Sequence, residues 1–114
     1  MRLVEATTGG DGVRVLTGQG EMDVTVAPAI LPEVPALVAG ARAVVLDLSG
    51  LTFFDSAGVR LVDQLARECA RHREPFAVVA PPLGPSRRVL ELVGLADSLA
   101  VDDLQAALER VTGP

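Results

Sequence analysis

The chain has 114 residues, 49% of them hydrophobic, and its ten basic side chains face fifteen acidic ones for a formal net charge of -5. That length and apolar content suit a single domain over residues 1–114 with one core, needing neither metal nor disulfide. The acidic balance argues against a nucleic-acid or anionic-membrane surface, since both need clustered cations. All ten basic residues are Arg, so a P-loop lysine, a kinase strand lysine and a Schiff base are excluded. Cys69 is the lone cysteine, which rules out an internal disulfide and points to a reducing, cytoplasmic setting. No run approaches the ~18 apolar residues of a membrane helix, and Met1–Glu5 lacks the form of a signal peptide.

Leu3–Ala6 and Val13–Leu16 are β-prone runs around the turn cluster Thr7–Gly12, a hairpin pattern. Gly18-Gln19-Gly20-Glu21-Met22-Asp23 reads as a breaker. Beyond it, Ile30, Leu31, Val34, Leu37 and Val38 recur at helical spacing. Pro32 and Pro35 do not suit a helix interior, so this helix is expected to be short or kinked. Ala43–Leu48, apolar on both faces, is a central strand, with Asp47 organising the loop after it.

A helix follows from about Ser56 to His72. Leu61, Val62, Leu65, Ala66 and Cys69 make its inner stripe, while Arg60, Asp63, Gln64, Arg67, Glu68 and Arg71 take the solvent face. Phe76–Ala80 is a further buried strand, and Ser86–Val93 a helix closed by Gly94. A strand near Leu99–Val101 leads to a last helix, capped by Asp102 or Asp103, with Leu104, Ala107, Leu108 and Val111 inward. The order ββαβαβαβα implies a small mixed α/β sheet flanked by about four helices.

Few side chains point to chemistry. Neither Gly10-Asp11-Gly12 nor Gly18-Gln19-Gly20 has the third glycine of a dinucleotide loop. Cys69 and His72 lack further ligands for a metal. Ser56 with His72 as its base fails on distance, because sixteen residues of helix separate them by roughly 24 Å. No catalytic set converges, no cofactor is implied, and the chain does not read as an enzyme. Asp55-Ser56, at the start of the best-defined helix, is explained by capping alone.

Taken together, Gly20-Glu21-Met22-Asp23, Ala27-Pro28, Val44–Leu48, Phe53–Gly58 and Arg88–Leu95 resemble the STAS domain family, in particular its free-standing anti-sigma factor antagonists. The resemblance runs essentially end to end and implies a STAS fold. It also implies partner switching. The unphosphorylated antagonist binds an anti-sigma factor, a serine kinase of the histidine-kinase-like ATPase type, and so frees a sigma factor. Phosphorylation by that kinase ends the interaction, and a PP2C-type phosphatase restores it.

On this resemblance Ser56 is the phospho-acceptor, and Asp23, Asp55, Ser56, Ala57, Gly58 and Arg60 form the partner surface. A phosphate there is expected to meet free amides at the helix start. Ala57 stands where many members carry a second Ser or Thr. The alternative is a STAS subunit of a lipid-transport ABC complex, docking by the same helix face without a phospho-switch.

Overall fold

The alternation of extended and amphipathic runs builds one mixed sheet with helices on both faces. The computed structural model of the chain describes residues 2–22 and 27–113. Its strands are β1 (Arg2–Thr8), β2 (Val13–Met22), β3 (Ala43–Phe54), β4 (Phe76–Val79) and β5 (Ala100–Val101). They lie side by side in chain order. The β1–β2 hairpin is antiparallel, and every later pair is parallel.

Right-handed crossovers made repeatedly in one direction place their helices on one face of a sheet. On that face lie α1 (Ala27–Ile30), α2 (Val34–Val38), α3 (Ser56–Arg71), α4 (Pro85–Leu92) and α5 (Ala96–Leu99). There Leu16, Met22, Leu46, Leu48 and Val78 pack with Val34, Val38, Leu61, Leu65 and Leu90. The last helix, α6 (Leu104–Thr112), follows the final strand and is free to cover the other face. It buries Ala107 and Val111 against Val13, Val45, Ala77 and Val79. The double-sided apolar pattern of Ala43–Leu48 is therefore that of a strand covered twice.

The prolines divide the first helical region as expected. Pro32 falls in the first turn of a 3-10 segment, Leu31–Glu33, and Pro35 in the first turn of α2, where a missing amide leaves no bond unmade. Arg14 then closes α2 from the sheet: its Nη1 donates to the carbonyls of Leu37 at 2.9 Å and Ala39 at 2.7 Å. At the other end of the molecule, Gly94 adopts φ +81. Its amide donates to Glu91 and that of Leu95 to Leu90, which satisfies the terminal carbonyls of α4.

Five details differ from the sequence reading. The breaker expected from Gly18 does not end β2, which runs through Gly18–Met22 by shifting register against β3 at Thr17/Gln19 and Gly20/Glu21. Gly20 takes φ +85 there, which a side chain would resist. β3 likewise continues past Leu48 to Phe54, so Asp47 lies within the strand. The about four helices expected become six α segments among the described residues, because the first is split and α5 adds one turn.

Glu68, placed on the solvent face by periodicity, is buried between Arg71 at 2.9 Å and His72 at 3.0 Å. Leu104, expected inside, is exposed at the first position of α6, next to the cap residue Asp103, which accepts the Ala106 amide at 2.8 Å.

Candidate functional site

β4 stops pairing with β3 at Asp47↔Val79, whereas β2 stays with β3 as far as Met22↔Phe54. The upper part of β2 and β3 thus projects beyond β4 as a two-stranded extension. Its tip hands the chain to α3. Phe54 turns into the core, while Phe53 beside it is 45% exposed. The register shift at Gly20/Glu21 lies beside this pair, so simple alternation along β3 does not mark which Phe reaches solvent.

Asp55 makes the junction. Its backbone is extended (φ -130, ψ -164), and its carboxylate Oδ1 accepts the Ala57 amide at 2.9 Å. Its carbonyl accepts the amides of Gly58 at 3.0 Å and Val59 at 3.2 Å. Asp55 thus satisfies two of the donors that a helix start leaves open, those of Ala57 and Gly58, and its carbonyl takes the first regular helical bond, from Val59. Of the free amides expected to greet a phosphate at Ser56, those of 57 and 58 are consequently occupied.

Ser56 is the first residue of α3 and is exposed. Ala57 is half-buried and packs on the core, and Gly58 is buried. A Cβ at Gly58 would stand 2.7 Å from Met22 Cγ and would collide with the Phe54 ring. The glycine therefore serves close packing of the first turn on the sheet. Arg60, one turn beyond Ser56, is exposed. Of the expected partner surface, then, Ser56 and Arg60 reach solvent, Asp55 is turned into the cap, and Ala57 and Gly58 face inward. Glu21 lies exposed at the end of β2. Asp23 lies outside the described residues.

Elsewhere the reactive groups have structural employment. His72 caps the far end of α3 and meets Glu68 there, a helix length from Ser56. Cys69 is buried, and burial, with Glu74 and Glu68 adding, pushes its thiol up to about 12. Asp47 Oδ1 accepts from the Ser49 amide at 3.0 Å and the Ser49 hydroxyl at 2.6 Å. Among the described residues no group of three or more His, Cys, Asp or Glu could hold a metal ion. No helix among them is long and apolar enough to cross a membrane.

A model of the STAS domain family matches residues 6–109. A sequence search of curated proteins finds no match. Among solved structures, an anti-sigma factor antagonist from Mycobacterium paratuberculosis is 33% identical over 94% of each chain, with a TM-score of 0.76. The anti-sigma factor antagonist SpoIIAA in its unphosphorylated form is 22% identical over 96% of each chain, with a TM-score of 0.79. The phosphorylated form of SpoIIAA, a Bacillus cell-fate determinant, is 22% identical over 94% of this chain and 97% of its own, with a TM-score of 0.71. At that identity the SpoIIAA likeness is one of fold.

Proposed function

The chain belongs to the STAS domain family, and from that premise we propose that it is an anti-sigma factor antagonist, acting as a single domain and switched by phosphorylation of Ser56. In this reading the unphosphorylated protein binds an anti-sigma factor that is also an ATPase-type serine kinase, and a sigma factor is released. The kinase transfers the γ-phosphoryl group of ATP to the Ser56 oxygen, the hydroxyl proton is lost and ADP leaves. A PP2C-type phosphatase reverses the step. The protein itself works by binding, in the cytoplasm, and catalyses nothing.

The observation that carries the reading is the exposure of Ser56 on the first turn of a rigidly capped helix, at the tip of a projecting strand pair. The chain's other serines are less suited. Ser86 is fully buried. The Ser49 hydroxyl is engaged by Asp47, and that of Ser98 donates to the Leu95 carbonyl at 3.4 Å. The likeness to an anti-sigma factor antagonist at 33% identity adds support.

The test is capture of binding proteins from native extract by wild type and by Ser56→Glu, followed by labelling with the captured kinase and Mg-ATP. One added phosphate on wild type, none on Ser56→Ala, and loss of the kinase from the Ser56→Glu capture are expected. Full labelling of Ser56→Ala would refute the assignment, and capture of transporter subunits in place of a kinase would favour the lipid-transport role.

A further inference from the structure

A phosphate on Ser56 would enter a setting with few ready partners. The carboxylate of Asp55 is next in sequence, and Glu21 is exposed at the end of β2. The usual remedy at a helix start is a set of open backbone amides. Here the amides of residues 57, 58 and 59 already bond to Asp55. With those amides engaged, a side chain is the stronger source of compensation.

One cation is placed to supply it. Arg60 is the only basic residue between Arg42 and Arg67. It lies four residues beyond Ser56 in the same helix, and both are exposed. Residues at i and i+4 share a helix face, roughly 5–6 Å apart at Cβ, and side chains lean toward the N-terminus, so Arg60 leans toward position 56.

The nearest acidic competitor on the helix is engaged, since Asp63 is held by Arg67 at 2.8 Å. Arg60 itself forms no ion pair among the described residues. A guanidinium also matches phosphate geometry with paired donors.

We infer that Arg60 holds the phosphate once Ser56 carries one, forming an intrahelical clamp that keeps the modified helix start ordered and sets how much of the phosphate's charge a partner meets. The inference rests on the reading of Ser56 as phospho-acceptor. It is tested without any kinase, so that the two stand or fall separately.

Phosphoserine is installed at position 56 by genetic-code expansion, in the wild-type chain and in Arg60→Gln and Arg60→Lys, and its second ionisation is followed by phosphorus NMR. That ionisation lies near 6 for an unpaired phosphoserine. Asp55 and Glu21 are common to all three chains, so their repulsion cancels in the comparison. Pairing with Arg60 favours the dianion, and the wild-type midpoint should lie about half a unit below that of Arg60→Gln, roughly a threefold change in the protonation constant.

The difference should shrink in 1 M salt, and Arg60→Lys should fall between the two. Since Arg60 is exposed, all three unphosphorylated chains should melt together. Equal midpoints in wild type and both variants would overturn the clamp while leaving the labelling test of Ser56 untouched.

Discussion

Gly58 in the first turn of α3 sits so close to Met22 of β2 that a Cβ would come within 2.7 Å of its Cγ. Both Met22 and the neighbouring Phe54 are buried, at 0% and 5% exposure, so neither has room to yield. Gly→Ala inside a helix ordinarily gains about 1 kcal/mol from propensity. Overpacking a filled core costs about 1–3 kcal/mol, and here the collision wins. Gly58→Ala should therefore lower the melting temperature by several degrees and tilt the helix start that presents Ser56. A melting temperature at or above wild type would show that the first turn shifts freely.

The Asp55 cap separates two roles that the sequence joins. Asp55→Ala removes the acceptor for the Ala57 amide and should cost about 1 kcal/mol, within the range of 0.5–2 for lost N-caps. Asp55→Asn keeps a capping oxygen and should recover most of that stability. Denaturant titration of the three proteins gives the comparison. If Asn is as destabilising as Ala, the charge and not the cap is what stabilises the helix start.

The run from Phe53 to Gly58 was legible because each local rule agreed: a capping Asp, a helix stripe and a strand before them. What escaped the sequence was set by neighbours. Gly18-Gln19-Gly20 has the composition of a turn, yet β1 pairs with it through Gly18 and Gln19 on one side and β3 on the other through Gln19 and Gly20. Those ladder bonds override weak propensity.

Glu68 escaped for a similar reason. Its periodic position is solvent-facing, but Arg71 and His72 follow it closely and close over its carboxylate. Phe53 reaches solvent because register shifts alter the alternation of β3, and no count of period-two spacing reveals where a shift falls.

Cys69 gives a pH prediction with a definite sign. Its thiol is pushed up from 9.0 to about 12 in the folded chain, chiefly by burial, while the unfolded chain ionises near the ordinary value. Below pH 9 both states hold the proton and the full stability is present. Between about pH 9 and 12 the unfolded chain releases it and the folded chain does not, so stability falls by at most about 1.4 kcal/mol per pH unit. Cys69→Ala should flatten this part of the alkaline decline, whatever its cost at neutral pH. An unchanged slope across that window would mean that other groups control it.

Under the proposed function, phosphorylation acts at the docking surface and not on the fold. Ser56 is exposed, its phosphate displaces no core side chain, and the bonds from residues 57, 58 and 59 to Asp55 do not involve the Ser56 hydroxyl. The phosphorylated domain should keep its circular dichroism and melt within a few degrees of the unmodified one. At a docked interface nearly two negative charges must instead shed water beside Asp55, and an uncompensated buried charge costs about 3–5 kcal/mol. A surface pair with Arg60 contributes well under that, since exposed ion pairs give about 0.2–1 kcal/mol. The penalty prevails, and at about 1.4 kcal/mol per factor of ten the affinity for the partner should fall by roughly a hundredfold or more. Calorimetric titration of both forms against the captured kinase measures this directly. A sharp loss of helical signal on phosphorylation would replace a local block with an unfolding switch, and equal affinities would remove Ser56 from the interface.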